Sequence, residues 1–166
     1  TTLKPWPAPN TPYTEAITHF ARAMGFARSG QPAEAAADIA RLGALHQREI
    51  EMKDAYWAEQ VRIQKSVAEA WVLFAEGKKD EAIKALATAA DAEDLTDKAA
   101  VTPGPLAPAR ELYGFMLLEA GRAKEALAPG GTLLIGVPMA AIPGAERMGY
   151  PYFGLYLLAM HGGRIR

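Results

Sequence analysis

The chain contains no cysteine, which rules out disulfides, thiolate metal sites and cysteine chemistry and leaves the compartment open. It has no run of lysine or arginine, and its net charge is −1. Nucleic acid is therefore not expected as a partner, because a phosphate backbone needs a basic footprint. Its longest uninterrupted apolar stretch lies within Gly154–Met160, far short of the ~20 residues of a membrane-spanning helix. A soluble chain with no membrane partner is expected. There is no G-x-S-x-G, no P-loop and no H-E-x-x-H, so no catalytic, cofactor-binding or metal-binding residue is assigned and no enzyme is expected. The opening TTLKPWPAPN has neither an initiator methionine nor a signal-like apolar core, which suggests a processed or excised piece of a longer protein.

What is present is ordinary globular material. Half of the 166 residues are hydrophobic, and a chain of this length suits one domain burying roughly 70% of its unfolded surface. Thr11 can cap a first helix with Pro12 at its first position, where the missing N–H costs nothing. Ile17, Phe20, Ala21, Met24 and Ala27 then form one apolar stripe. Ser29-Gly30 closes that helix, and Gln31-Pro32 opens a second with Ala36, Ile39, Ala40 and Leu42 facing inward. From Ala44 to Glu76 there is neither glycine nor proline. As one rod this stretch would be about 50 Å long, so a break near Asp54, a good N-cap before AYWAEQ, is expected. The next helix carries Val61, Val67, Trp71 and Phe74 and ends at Gly77. Asp80 then caps a helix with Ile83, Leu86, Ala87 and Ala90 inward. After a polar, Pro/Gly-punctuated connector, a helix over about Leu106–Ala120 turns Leu112, Phe115, Met116 and Leu117 inward.

The turns share a pattern. Gly30, Gly77 and Gly121 are each followed, after three residues, by an acid and an alanine: Glu34-Ala35, Glu81-Ala82 and Glu125-Ala126. Seven residues before each glycine stands a small residue (Ala23, Ala70, Gly114), and four before it a bulky one (Phe26, Leu73, Leu117). Ile39 and Leu86, then Leu42 and Ala89, match one another in the second helices. Small residues let paired helices approach closely while bulky ones fill the gap to the next pair. This pattern resembles the tetratricopeptide repeat. The resemblance implies an all-α, right-handed superhelix of antiparallel helical hairpins.

The departures are specific. The turn glycines stand 47 and 44 residues apart, against the ~34 of the standard repeat. The aromatic expected early in each first helix is replaced by His19, Ser66 and Arg110. PWPAP, TPYTEAITHFARA and TPGPLAPARELYG also resemble the C-terminal region of longer bacterial tetratricopeptide-repeat proteins, which implies protein–protein contact with no assigned reaction. The expected organisation is an extended segment over residues 1–10, about three repeat-like hairpins over 11–128, and a non-helical Gly/Pro/aromatic-rich arm over 129–166.

Repeat arrays of this kind bind on the face lined by the first helix of each pair. On that resemblance the groove holds Phe20, Met24 and Arg28, then Val67, Trp71 and Phe74, then Glu111, Phe115 and Leu118. The Lys and Asn clamp by which part of the family holds a peptide carboxylate is missing from these positions. An aromatic groove would take a hydrophobic peptide on Trp71 and Phe115. The plainer alternative, and the expected one, is that the rings are core. A protein or peptide partner is implied in either case, unidentified by the sequence.

After Ala128 only Glu146, Arg147, Arg164 and Arg166 are charged. Pro129 and Gly130 fall where the third hairpin needs its second helix, which cannot continue through them. Thr132–Val137 suits a strand or extended segment. The arm is expected to cover the last exposed face of the array, using Tyr150, Tyr152, Phe153, Tyr156 and Leu157. Two alternatives are pairing with another chain in a homo-oligomer, or a frame change or fusion past Ala128. LAPGGTLLIGVP resembles a stretch of class I S-adenosylmethionine-dependent methyltransferases, where a helix ends in Pro-Gly-Gly before a strand. That makes a methyltransferase fragment the alternative function, without the glycine-rich cofactor loop such a fold needs upstream.

Three histidines are scattered. Glu15 lies four residues before His19 and Glu49 three after His46, pairs expected to be solvated on helix surfaces, with too few ligands for zinc. Glu49, Glu51, Asp91, Glu93 and Asp94 are expected to be solvated acids. Gly162-Gly163-Arg164 lacks the following helix that would cradle a phosphate.

Overall fold

A computed structural model describes residues 10–96, 105 and 107–126, together with the backbone of Thr132–Pro138, Phe153–His161 and Arg164–Ile165. The chain divides into two compact units, Thr1–Ala120 and Gly121–Arg166.

The first unit is helical throughout its described part: α1 Pro12–Arg28, a 3-10 turn Pro32–Ala35, α2 Ala36–Glu51, α3 Ala55–Ala75, α4 Lys79–Asp94 and α5 Ala109–Glu119. Each helix packs on the next, and α1 also packs on α3. The helices reverse at backbone locks of one kind. After α1 the Gln31 N–H donates back to the Phe26 carbonyl at 2.9 Å, and after α3 the Lys78 N–H donates to that of Leu73 at 3.0 Å. Gly30 and Gly77 supply the left-handed residue these locks require, with φ of +78° and +86°. The same lock ends α2, where the Asp54 N–H donates to the Glu49 carbonyl at 3.1 Å. There the left-handed residue is Lys53, at φ +59°. Asp54 then caps α3, its side chain accepting from the Trp57 N–H at 3.1 Å.

Within each hairpin the seam is alanine. Ala23 and Ala35 are fully buried, as are Ala70 and Ala82, so the small positions around Gly30 and Gly77 lie in the core. The buried stripes differ in detail from those expected. On α1 they are Pro12, Ala16, His19, Ala23 and Ala27, with Ile17 and Ala21 exposed. On α2 they are Asp38, Leu42, Leu45 and Glu49, continuing from Ala35, while Ala36 and Ala40 face out. On α4 Ala82 and Ala89 join Ile83, Leu86 and Ala90, and Lys78 rather than Asp80 is the N-cap. On α5 Phe115 is exposed, and Ala109 takes a buried place with Leu112, Met116 and Leu117.

Two of those residues overturn the expectation of solvated charge pairs. His19 is buried; its Nδ1 donates to Asp38 Oδ1 at 2.6 Å, a carboxylate being able only to accept, and its Nε2 lies 3.4 Å from Glu15. Arg22 and Arg41 pair with the same two acids, at 3.1 Å from Asp38 and 2.7 Å from Glu15. The Arg41 hydrogen bond holds the Glu15 carboxyl below its ordinary range. Glu49, only 1% exposed, accepts from the Tyr13 N–H at 2.7 Å. It therefore caps the first turn of α1 across the hairpin, where Thr11 occupies the N-cap position without a side-chain cap bond. Burial pushes the Glu49 carboxyl upward.

The second unit starts with one helical turn, α6 Ala123–Ala126. The described residues thus hold two complete hairpins, a fifth helix and the single turn α6. Beyond α6 the described backbone is strand. β1 Thr132–Pro138 pairs antiparallel with β2 Phe153–His161, Thr132 opposite Ala159, and β2 pairs antiparallel with β3 Arg164–Ile165. Thr132–Val137 is therefore extended, and its partner strand comes from the same chain. Leu127–Gly131, which begin the methyltransferase-like stretch, lie outside the described residues. So do residues 1–9, Glu146 and Arg147, Tyr150 and Tyr152, Gly162 and Gly163, and the side chains of Phe153, Tyr156, Leu157 and His161.

Two stability outcomes follow. At Gly77 an added Cβ meets nothing within 4 Å, so Gly77→Ala is opposed by backbone strain alone and lowers stability by about 1 kcal/mol. Lys53→Gly relieves the same strain and shifts stability the opposite way. Urea unfolding of both variants checks this, and equal signs would contradict it. Glu49→Gln keeps an acceptor for the Tyr13 N–H without a buried charge. Because the Glu49 carboxyl is raised in the folded state, its relative stabilisation is present below about pH 4.5, the ordinary value, and is lost as pH rises through the folded value. Denaturation at pH 4.5 and pH 7 should show the variant gaining on the natural chain at the higher pH, and a pH-independent difference would refute the assignment.

Candidate binding face

α1 and α3, the first helices of the two hairpins, lie against each other, and a cavity of about 280 Å³ opens between their N-terminal halves. Tyr13, Ile17 and Phe20 on α1 line it, at i, i+4 and i+7, and so do Trp57, Gln60, Gln64 and Val67 on α3, at i, i+3, i+7 and i+10. Each set is one helical stripe. Tyr13 and Trp57 stack with ring centres 3.8 Å apart and planes 6° apart, and Tyr56 meets Trp57 edge-on at 4.9 Å. Ile17 is 40% exposed at the rim.

Polar groups border the aromatic wall. The Gln60 Nε2 donates to Thr96 Oγ1 at 3.3 Å, and the Thr96 hydroxyl donates to the Glu93 carbonyl at 2.7 Å. Glu93 lines the cavity and accepts from the Ala109 N–H at 2.6 Å, capping α5 from α4 as Glu49 caps α1. Burial pushes its carboxyl upward, so Glu93 is half-buried rather than the solvated acid expected. Gln64 Oε1 is buried with no hydrogen-bond partner.

The expected groove residues fall into three groups. Phe20 and Val67 line the cavity. Arg28, Trp71 and Phe74 meet farther along the two helices. Trp71 is 2% exposed, with Phe74 edge-on at 5.7 Å and the Arg28 guanidinium 4.7 Å from its ring centre. Arg28 Nη2 also donates to Glu119 Oε1 on α5 at 2.7 Å, so one side chain straps α1 to α5 over the indole. Trp71 is core, as the plainer alternative had it, and is no anchor open to a partner. Met24 and Leu118 are half-buried, while Glu111 and Phe115 are exposed on α5, Phe115 at 49%.

Sequence reasoning began the second groove stripe at Val67 and missed Trp57, Gln60 and Gln64. The signal was present, because the spacing that joins Val67 to Trp71 extends backward through them. On the opposite side of α3 a wider depression of about 670 Å³ has Ile39, Val72 and Leu73 among its apolar residues, with Arg62, Glu69 and Lys84 at its edge. Among the described residues no group of three His, Asp or Glu side chains gathers as a metal site, and no helix is long and apolar enough to cross a membrane.

Trp71→Ala empties a closed site and should lower stability by about 3–5 kcal/mol. Arg28→Ala removes one exposed ion pair and one stacked cation, together about 1 kcal/mol. Chemical denaturation separates the two, and comparable losses would show that Trp71 is not core.

Compared with protein-family models, curated proteins and solved structures, the chain matches none.

Proposed function

We propose that the chain is a non-catalytic scaffold of the tetratricopeptide-repeat type that binds a protein or peptide on the face formed by α1 and α3. The observation that carries this is the cavity itself: the first helices of two successive hairpins each contribute a stripe, apolar and aromatic on α1 and mixed with Gln60 and Gln64 on α3, to one partly open surface. Seam alanines and left-handed turn residues support the repeat-like reading, since they are what the hairpin architecture requires. The clustering of Tyr13, Tyr56 and Trp57 supports recognition, because aromatic side chains concentrate binding energy at interfaces. The binding area moves, relative to the sequence expectation, from Trp71 toward the N-terminal halves of the helices.

Ile17 tests the proposal because it is exposed and lines the cavity without holding the hairpin seam. Affinity capture with the full chain should recover partners that Ile17→Asp, folded by circular dichroism, loses by tenfold or more. Equal capture by the variant would overturn the assignment of this face.

A further inference from the structure

We infer that the cavity between α1 and α3 is a binding site for a methylated ammonium group, a compact organic cation held by aromatic rings and the Glu93 carboxylate. The inference concerns the cavity alone and stands whether or not the face binds a protein. Its volume of about 280 Å³ is just below the roughly 300–1,000 Å³ of sites for drug-sized ligands, so it suits a small group. Tyr13, Phe20, Tyr56 and Trp57 all line it. Their planes differ: Tyr13 and Trp57 lie 6° apart, while Tyr56 stands at 74° to Trp57. Rings set at an angle around one space attract a cation from more than one side, through the negative potential of the ring face.

The charge at this wall has one sign. Among the described residues, Glu93 is the one charged side chain lining the cavity, and it is only partly buried. Its Oε2 accepts from the Ala109 N–H at 2.6 Å. Arg110, whose charge also acts on Glu93, donates its guanidinium to Asp91 and Asp94 instead. Two further carboxylates stand behind the stacked rings, Glu49 on the Tyr13 N–H and Asp54 on the Trp57 N–H. The tyrosine, tryptophan and glutamine donors around the cavity carry no net charge, so Glu93 sets its sign. Burial opposes the charged form of Glu93, and a cation brought beside it favours that form. A bare ammonium holds its water strongly, whereas methyl groups spread the charge over an apolar surface that rings can cover. An uncharged guest of the same shape gains nothing from Glu93.

Choline and its carbon analogue, in which a tert-butyl group replaces the trimethylammonium, form the test pair, because they share a shape and differ by the charge. Titrated into the full chain and followed by chemical-shift changes, choline should bind about fivefold more tightly than the analogue. Glu93→Gln keeps an acceptor for the Ala109 N–H and should weaken choline by about threefold, leaving the analogue unchanged. Tyr56→Leu removes one ring and should weaken choline more than the analogue. A short uncharged peptide carrying trimethyllysine separates the two sources of such a group. Tighter binding than choline assigns a protein side chain, weaker binding a free small molecule, and both uphold the cation site. The inference is overturned by any of three results: the analogue binding the natural chain as tightly as choline, choline keeping its affinity for Glu93→Gln or Tyr56→Leu, or choline failing to saturate a site. If Glu93→Gln does not fold, the choline-to-analogue ratio on the natural chain and the Tyr56→Leu arm still decide it.

Discussion

Close approach of helices through alanine is the constraint from which the rest of the first unit follows. Ala16, Ala23, Ala35, Ala68, Ala70, Ala82 and Ala90 are fully buried. In the core cluster Ala16, Ala23, Ala35 and Ala68 pack with Leu42, Leu45 and Val61. Tyr13, Phe20 and Phe26 pack against its edge, each only partly buried. Phe20 and Trp57 lie along the face that α1 shares with α3, and there the fit is incomplete, leaving a cavity.

A seam of alanines also contributes modestly to burial, since each removes little apolar area from water. Polar fastenings supplement it. Asp38 pairs with His19 and Arg22 across the first hairpin, while Glu49 and Glu93 close the open ends of α1 and α5. A helix start leaves several N–H groups without partners, and a carboxylate satisfies one while facing the positive end of the helix dipole. Desolvation opposes this, which is why the Glu49 and Glu93 carboxyls are both raised. Both devices reach from a neighbouring helix, so the caps tie tertiary packing to helix formation.

Local signals were legible wherever the physics was local. The Asp54 cap, the turn glycines, the positions of the small residues and the extended run at Thr132–Val137 depend on near neighbours, and each was readable from its own few residues. Lys53 was not, because a left-handed lysine carries none of glycine's compositional trace, although it closes α2 with the hydrogen bonds that Gly77 uses after α3. The buried stripes of α1 and α2 were read about one position off for a related reason. His19, Asp38 and Glu49 look like surface residues, and only partners 19 to 36 residues away make their burial tolerable. The candidate site was legible in half: Phe20 and Val67 were placed, while Trp57, Gln60 and Gln64 share their stripe unnoticed.

The sequence by itself determined that this chain makes short amphipathic helices, where they turn back, and that small residues line their crossings, because cap chemistry, left-handed glycine and side-chain volume act within a turn or two. Only the tertiary structure decided which acids are buried, that Trp71 lies sealed beneath Arg28, and that Tyr13 and Phe20 on α1 line one cavity with Trp57 on α3. Those outcomes depend on which helix faces are brought together, and that is settled by the packing of distant segments rather than by the preferences of any one of them.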